Sequence, residues 1–269
     1  MKTFETITIT QQKAVAVLSL NRPEKHNALN STMISELTEA FIVLGSSTEI
    51  RVIVLRGNGP SFCAGADLNY MREIAAFGQD ENKADALRLA RLFDTINKCP
   101  KPVVAHLHGA VIGGANGLAA AADIVIADEN TYFAFSEVRL GITPATISPF
   151  VIRRCGQAIA RELMLTGRRF SAAEAKQYML VNHIETAENP DAVLNASLQQ
   201  LLAGGPGALA DCKELISAVA AGSATGDELL DYTSERIAAG RASAEGQEGM
   251  KAFFDKRKPN WFQQPSHEN

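Results

Sequence analysis

The chain has 269 residues, of which 46% are hydrophobic and 21% charged, enough to bury a large core without disulfides or a structural metal. Its 26 Lys and Arg residues against 30 Asp and Glu give a net charge of −4. That is the wrong sign for a general binder of phosphate backbones, so nucleic acid is not expected as a partner. The cysteines at positions 63, 99, 155 and 212 have no C-x-x-C spacing, so we expect a reducing, cytoplasmic setting without a zinc site.

Predicted strands and helices alternate over the first two-thirds of the chain. Residues 1–12 are predicted to form a strand rather than a signal peptide, because threonines alternate with Phe4, Ile7 and Ile9 without a basic leading segment. Further strands are predicted at residues 14–20, 52–55, 103–104 and 124–127, and helices at residues 31–44, 68–77, 84–96 and after the Gly113-Gly114 pair. This order predicts an α/β fold with much parallel pairing.

The most apolar segment, residues 103–127, is long enough to raise the question of a membrane span. It contains His106, His108, Asn116 and Asp123, which do not suit a lipid environment. We therefore predict a buried strand followed by a buried helix, and no membrane association.

Helical patterns follow one another in the last third of the chain. Residues 171–174 (Ser-Ala-Ala-Glu) and 225–228 (Thr-Gly-Asp-Glu) are predicted capping boxes, in which hydroxyl and carboxylate pair with the free amides of the helix start. Residues 204–207, Gly-Gly-Pro-Gly, are the most linker-like segment. We predict a core over residues 1–195 and a helical C-terminal region over residues 196–269 that serves assembly or packs back on the core.

The sequence lacks the P-loop, the G-x-S-x-G elbow and the H-E-x-x-H helix. His106 and His108 have strand spacing, so both rings are predicted to face one side. As a metal pair they lack a nearby third ligand in the sequence. Histidines that are buried or that cap a strand end are therefore expected, and no metal site is predicted.

Two junctions between a strand and a helix are rich in small residues. In residues 61–68, Ser-Phe-Cys-Ala-Gly-Ala-Asp-Leu, Asp67 suits a helix N-cap and the small neighbours leave the amide of Ala66 open to a ligand. In residues 109–117, Gly-Ala-Val-Ile-Gly-Gly-Ala-Asn-Gly, the first helical amides are exposed and positively polarised. Two such junctions can direct two amide donors at one oxyanion. The alternative is that small residues only let helices pack against strands.

Five segments carry the most specific pattern in the sequence. They are residues 21–30 (Asn-Arg-Pro-Glu-Lys-His-Asn-Ala-Leu-Asn), 64–68 (Ala-Gly-Ala-Asp-Leu), 108–114 (His-Gly-Ala-Val-Ile-Gly-Gly), 136–144 (Ser-Glu-Val-Arg-Leu-Gly-Ile-Thr-Pro) and 253–258 (Phe-Phe-Asp-Lys-Arg-Lys). In residue types and in order along the chain, these segments closely resemble those of the crotonase (enoyl-CoA hydratase/isomerase) family, and the resemblance covers essentially the whole chain. The resemblance implies a spiral of ββα units with a C-terminal helical region that makes homotrimers, often paired as hexamers. It also implies acyl-CoA thioester substrates and no metal or redox cofactor, coenzyme A being part of the substrate.

The resemblance also implies which residues act. The oxyanion hole for the thioester carbonyl falls on the amides of Ala66 and Gly114. Contacts to coenzyme A fall on Lys25 and Ala28, on Ala64, Asp67 and Leu68 of the turn, and on Phe253 and Lys256, which match tail residues that reach the coenzyme A of a neighbouring subunit. For the last two, a solvated basic terminus is the alternative.

Many hydratases of this family use two glutamates to hold and activate water. The second of these positions is Glu137 here, whereas the first is Gly117. Apolar neighbours are expected to raise the pKa of the Glu137 carboxyl, which suits general acid/base work near neutral pH; the alternative is an exposed glutamate at a strand end. The resemblance therefore implies an enoyl-CoA hydratase with one glutamate, with an enoyl-CoA isomerase or a non-catalytic acyl-CoA-binding homologue as alternatives.

Residues 144–152, Pro-Ala-Thr-Ile-Ser-Pro-Phe-Val-Ile, replace a glycine-rich stretch of the two-glutamate hydratases. Together with Gly117, this segment resembles methylglutaconyl-CoA hydratases of leucine catabolism and the related carboxygeranoyl- and isohexenylglutaconyl-CoA hydratases. Such a substrate carries a distal carboxylate that needs a cation or polar donors. The nearest arginines in sequence are Arg72 and Arg139, and Arg139 shares the side of Glu137 if this stretch is extended.

Overall fold

The computed structural model describes residues 3–222 and 225–262, which form two sheets surrounded by helices. The strands are β1 (Ile7–Gln12), β2 (Val15–Leu20), β3 (Val52–Gly57), β4 (Val103–Leu107), β5 (Ala110–Ile112), β6 (Ile124–Asp128), β7 (Tyr132–Ala134), β8 (Arg169–Ser171) and β9 (His183–Glu185). The helices are α1 (Ser31–Ser46), α2 (Leu68–Ala75), α3 (Gln79–Lys98), α4 (Gly114–Ala121), α5 (Ser148–Thr166), α6 (Ala172–Gln177), α7 (Ala192–Ala203), α8 (Pro206–Ala221), α9 (Gly226–Ala242) and α10 (Ala244–Phe254). Short 3-10 helices occupy Pro23–Lys25 and Glu137–Leu140.

The larger sheet has the strand order β1-β2-β3-β4-β6-β9, in which β1 and β2 are antiparallel and every later pair is parallel. Val17, Val54 and Val104 are neighbours across β2, β3 and β4. Strands with both faces covered need apolar residues on both faces, which explains the continuous Val and Ile runs. The predicted α/β fold with parallel pairing is confirmed.

Both faces of the central strands of this sheet are buried. One face packs against α1, α3 and α4 around Leu18, Ile53 and Leu55. The other face, which includes Val54 and Val104, packs against α7. Of the strand predicted at residues 1–12, the structure forms β1 over residues 7–12 only; residues 3–6 are not strand, and residues 1 and 2 lie outside the described part of the chain.

The smaller sheet, β5-β7-β8, positions the two segments that matter for function. Strand β5 leads into α4, and β7 leads into the 3-10 helix Glu137–Leu140. Stacked rings of Phe133 and Phe170, with centroids 5.4 Å apart, join β7 to β8. The two segments are therefore held side by side by a rigid sheet.

The apolar segment 103–127 forms β4, β5, α4 and the start of β6, as predicted for a strand followed by a buried helix. Within the described residues, no helix is long and apolar enough to cross a membrane.

Two local predictions in the C-terminal region are wrong. The capping box at Ser171 and Glu174 is present. At the start of α9 the Thr225 side chain makes no capping hydrogen bond, and Gly226, the residue that follows it, has a left-handed φ of +56° instead of a helical one. Residues 204–207 are a tight connection rather than a linker. The Glu245 carboxylate accepts the amides of Gly207 at 3.0 Å and Ala208 at 2.8 Å, which fixes the start of α8.

The C-terminal helices leave apolar side chains uncovered. Helices α8 and α9 bury none of their own described residues, and Leu230, Phe253 and Phe254 are 63%, 79% and 76% exposed. The predicted boundary between residues 195 and 196 lies inside α7, which packs on the larger sheet; the division into two parts stays a prediction.

Candidate active site

The turn at residues 61–68 lies against the start of the second junction. The Cys63 amide donates to the Ala110 carbonyl at 3.0 Å, and the Ile112 amide donates to the Cys63 carbonyl at 3.1 Å. These bonds join the turn to β5. Burial raises the pKa of the Cys63 thiol to about 12, so this residue is a packed thiol and not a thiolate nucleophile.

The Ala66 amide faces away from the hydrogen bonds that hold this turn. Leu29 pairs with both neighbours of Ala66: its amide donates to the Gly65 carbonyl at 2.7 Å, and its carbonyl accepts from the Asp67 amide at 2.8 Å. In a parallel bridge the residue between those two bonds directs its own N–H to the other side of the strand. The Ala66 N–H has no acceptor among residues 3–222 and 225–262.

Asp67 fixes the end of the turn. Its carboxylate caps α2 by accepting from the amides of Asn69 and Tyr70, and it pairs with Arg22 Nη2 at 2.9 Å. Burial opposes the charge, but the hydrogen bonds from the Asn69 amide and from Arg22 outweigh it, so the pKa of Asp67 lies below its usual value. Arg22 also donates to the Ala28 carbonyl at 2.8 Å, which ties the loop after β2 to the turn.

The second junction presents another free amide. Gly113 has φ 55° and ψ −123°, a conformation open to glycine, and its own amide donates to the Ala134 carbonyl at 2.9 Å. Gly114 is the first residue of α4, where the helix supplies no acceptor for an N–H. Within the described chain the Gly114 amide stays unused. A side-chain carbon on Gly114 would lie 3.2 Å from Leu29 Cδ1, so Leu29 contacts both junctions.

Glu137 lies directly against this turn. A side-chain carbon on Gly113 would lie 3.4 Å from Glu137 Oε1, whereas Glu137 Oε2 is buried and without a hydrogen-bond partner in the described part of the chain. Burial raises the pKa of this carboxyl, and a hydrogen bond from its own amide opposes only part of the shift. A buried carboxyl with a raised pKa and one oxygen free of hydrogen bonds can accept a proton and return it.

Gly117 lies on the buried side of α4. A side-chain carbon here would lie 2.5 Å from Ile147 Cγ2 and 2.6 Å from Phe93 Cζ, and both of those side chains are themselves fully buried. The position is filled by neighbouring apolar groups, so no room is left for a carboxylate or for a water beside it.

Comparisons with known proteins identify the family of this chain. A sequence profile described as enoyl-CoA hydratase/isomerase matches residues 10–264. The chain belongs to the enoyl-CoA hydratase/isomerase family. It is 33% identical to enoyl-CoA hydratase AKT6-1 of Alternaria alternata over 93% of this chain and 82% of the relative. Its fold matches an enoyl-CoA hydratase from Shewanella pealeana (41% identity, TM-score 0.93, 96% of each chain) and an enoyl-CoA hydratase/isomerase from Marinobacter aquaeolei (34% identity, TM-score 0.91, 96% of this chain and 99% of the other).

The predicted coenzyme A residues of this family member fall into two groups. Lys25 and Leu68 are exposed, Ala28 is buried and Ala64 half-buried, and the Ala64 amide donates to the His26 carbonyl at 2.9 Å. The structure thus brings the loop of Lys25 and Ala28 together with the turn of Ala64, Asp67 and Leu68.

The other group lies at the end of α10. The Phe253 ring packs edge-on against Phe254, with centroids 5.9 Å apart, and the Lys256 amide donates to the Phe253 carbonyl at 3.2 Å. These contacts stay within the tail. A role for Phe253 and Lys256 at the coenzyme A of a neighbouring subunit stays a prediction.

The predicted orientation of Arg139 is wrong. Residues 137–140 form a 3-10 helix and not a strand, so Arg139 and Glu137 do not share a side by alternation. Arg139 is exposed. Arg72 is also exposed and donates to Asn69 Oδ1 at 3.1 Å.

The structure corrects the prediction that His106 has no further ligand nearby. His106, Glu185 and Asp191 each offer one ligand atom, all within 4.8 Å of one another, beside a cavity of about 350 Å³ that His108 also lines. His106 Nε2 lies 2.6 Å from Glu185 Oε2, a direct hydrogen bond. Val104, two residues before His106 in β4, faces α7, so by strand alternation this group lies on the α7 side of the larger sheet. The absence of a metal stays a prediction.

Sequence reasoning missed three polar residues that shape the site: Arg22, Asn27 and Asn116. Asn27 is fully buried, and its side-chain amide donates to the carbonyls of Asn58 and Ser61 at 2.8 Å each. The available signal was a polar side chain inside a segment of small or turn residues. Such a side chain is expected to form hydrogen bonds when it is buried, as the Asn27 amide does.

The packing around Gly117 leads to a stability prediction. The Gly117→Ala variant should lose about 1–3 kcal/mol of unfolding free energy, because the added methyl overlaps Phe93 and Ile147. Chemical denaturation measures this loss. The control is Gly240→Ala in α9, where no atom lies within 4 Å of the added carbon and the change should be neutral or stabilising. Equal stability of the two variants would show that the Gly117 position is not filled.

Proposed function

We propose that this protein is an enoyl-CoA hydratase that adds water across the C2=C3 double bond of an α,β-unsaturated acyl-CoA thioester through a single glutamate. The observation that carries the proposal is the position of Glu137, whose buried, unpaired carboxyl lies against the turn that presents the Gly114 amide. Family membership and the names of the relatives support the reaction class.

In the proposed mechanism, the amides of Ala66 and Gly114 donate to the thioester carbonyl oxygen. The oxygen of a water molecule attacks C3 while the Glu137 carboxylate takes a proton from that water. The electron pair of the double bond moves toward the carbonyl oxygen, and the resulting enolate is stabilised by the two amides. C2 then takes the proton from Glu137, which returns to the carboxylate form, and the product is the 3-hydroxyacyl thioester.

Isomerisation is the second candidate, because a site with one carboxylate can also move a proton between two carbons of the acyl chain without adding water. The filled position at Gly117 favours it as an alternative, since a second carboxylate is missing there. A non-catalytic acyl-CoA-binding protein would retain the turns but would not need an isolated, buried carboxyl at Glu137.

The deciding experiment mixes the protein with crotonyl-CoA and branched enoyl-CoA substrates in ¹⁸O-labelled water. A hydratase removes the absorbance of the conjugated thioester and places the label on C3. An isomerase leaves the product unlabelled, and a binding protein changes nothing. Either of the last two results on every substrate contradicts the proposal.

For the acyl group we propose a branched, methylglutaconyl-type chain with a distal carboxylate. The support is the pairing of Gly117 with residues 144–152, and Arg139 is the proposed partner of the carboxylate. Arg139 makes no ion pair within residues 3–222 and 225–262, and it follows Glu137 by two residues in the sequence. Because this segment is a 3-10 helix, strand alternation does not place Arg139 beside Glu137. In this proposal the length of the arginine side chain lets it reach the substrate carboxylate.

Arg139→Leu is then expected to raise KM for methylglutaconyl-CoA about tenfold or more, the usual worth of a charge-assisted hydrogen bond, and to spare an uncharged branched enoyl-CoA. Steady-state kinetics on both substrates measures this. Arg72→Leu is the matched control, because Arg72 already donates to Asn69. A wild type that prefers the uncharged substrate, or an equal effect on both substrates, contradicts the glutaconyl assignment.

We further propose a cytoplasmic homotrimer or hexamer assembled through the C-terminal helices. The exposed apolar side chains of α9 and α10, among them Leu230 and Phe254, support an interface there. Light scattering in solution tests the assembly.

A further inference from the structure

Asn116 is an unusual residue for its surroundings. It stands in the third position of α4, between glycines and alanines, and its side chain is completely inaccessible to solvent. Its Nδ2 donates to three backbone carbonyls, those of Ala134 at 3.0 Å, Gly113 at 3.1 Å and Val111 at 3.3 Å. A cage of three carbonyl oxygens fixes the amide orientation, because the reverse orientation would place oxygen against oxygen.

One of these carbonyls belongs to the peptide unit that carries the proposed oxyanion donor. The C=O of Gly113 and the N–H of Gly114 lie in the same peptide plane. No described peptide bond is cis, so the two groups point in opposite directions. The Gly113 carbonyl accepts both from Asn116 Nδ2 and from the Asn116 backbone amide at 2.9 Å. Holding that carbonyl on the buried side therefore directs the Gly114 N–H away from the buried side.

The other proposed donor is held in the same way. The Ala66 N–H shares its peptide plane with the Gly65 carbonyl, which accepts from the Leu29 amide at 2.7 Å. At Ala66 the Cys63 thiol adds a weak hydrogen bond, from Sγ to the Gly65 carbonyl at 3.7 Å, whereas at Gly114 the Asn116 side-chain amide completes the clamp. Asn116 also joins the turn to β7 through the Ala134 carbonyl, so it connects the turn to the strand that leads to Glu137.

We propose that Asn116 is a positioning residue for the oxyanion hole: it clamps the Gly113–Gly114 peptide so that the Gly114 amide is aimed at the thioester oxygen. This inference rests on the proposed hydratase function. Hydrogen bonds accepted by the carbonyl of a peptide also polarise its N–H, which strengthens the donor as charge develops on the substrate oxygen. Asn116 itself touches neither water nor substrate.

The test is a series at this position: Asn116→Ala, which removes the donor, and Asn116→Ser, whose hydroxyl can donate to the carbonyl three residues earlier, that of Gly113. Both variants are expected to fold, because the Gly113 and Ala134 carbonyls each keep a backbone donor. Asn182→Ala is the matched control. Its side chain also makes a hydrogen bond to the backbone, because Asn182 Oδ1 accepts from the Val125 amide at 2.8 Å. Asn182 lies just before β9, away from this turn.

We expect Asn116→Ala to lower kcat for enoyl-CoA hydration about tenfold to a hundredfold, less than outright loss of a donor, with KM changed by less than about threefold. Asn116→Ser should recover part of the loss. A bound cinnamoyl-CoA chromophore gives a second readout, because amide donors on its carbonyl shift the absorbance to longer wavelength. That shift should shrink in the order wild type, Ser, Ala, and should be unchanged in Asn182→Ala.

The inference is overturned if Asn116→Ala keeps the wild-type kcat and absorbance shift, if Asn182→Ala loses as much of both, or if Ser behaves no better than Ala. Failure of the proposed function looks different. In that case the wild-type protein itself hydrates no enoyl-CoA, whether or not it shifts the chromophore.

Discussion

Replacing Glu137 by Gln is expected to lower kcat at least about a hundredfold while the protein still binds coenzyme A. Gln keeps the shape of the side chain but cannot accept a proton from water and return it to C2. The filled position at Gly117 leaves no second carboxylate to take over. Hydration kinetics measures kcat, and titration calorimetry with coenzyme A measures the binding that should persist. Turnover within a few-fold of wild type would contradict the single-glutamate mechanism.

The raised pKa of Glu137 predicts the direction of two pH effects, one on kcat/KM of the wild type and one on the Tm difference between the wild type and Glu137→Gln. The carboxylate form takes the proton from water, so kcat/KM should fall as the pH drops through this pKa, earlier than for a glutamate with an ordinary pKa. A carboxyl whose folded pKa is raised stabilises the fold only while protonated. Glu137→Gln should therefore raise Tm at neutral pH, and the gain should vanish in acid, where wild-type Glu137 is neutral too.

Replacing Ala66 by Pro should nearly abolish turnover. Proline has no N–H, so one of the two proposed oxyanion donors is lost, and such a loss costs roughly 3–4 kcal/mol of transition-state stabilisation. The hydrogen bonds that hold the turn use Gly65 and Asp67, and they do not need the Ala66 amide. The variant should therefore remain folded, as circular dichroism can confirm, while its kcat falls.

Ala66→Gly is the matched control for this prediction, because it removes the side chain and keeps the amide. It should retain most of the activity. Equal loss in the glycine and proline variants would show that the backbone N–H at position 66 is not the functional group.

The sequence predicted the fold and much of the site because both depend on local patterns. Aliphatic runs in residues 14–20 and 52–55 predict strands, and the structure confirms them as β2 and β3. The small residues around Ala66 and Gly114 predict open amides at two junctions. The structure brings these junctions together through β5 and Leu29.

What the sequence could not predict depends on partners that are distant in the chain. The space beside Gly117 is filled by Phe93 from α3 and Ile147 from the segment before α5, and no local pattern records that contact. Glu185, which is 79 residues from His106, reaches it only through the pairing of β9 with β6. The placement of Arg139 beside Glu137 was conditional on an extended stretch, whereas residues 137–140 form a 3-10 helix that ends at Gly141 in the left-handed conformation.

The packing beneath Gly117 also constrains the evolutionary history of the site. A mutation to glutamate there, taken alone, would force a carboxylate into the space of the Phe93 ring and the Ile147 branch, and the intermediate would be purged for misfolding. A second acidic group would fit at this position only after one of those two core residues had become smaller. The substitutions therefore depend on one another in order: a smaller residue at position 93 or 147 has to come before an acidic residue at position 117.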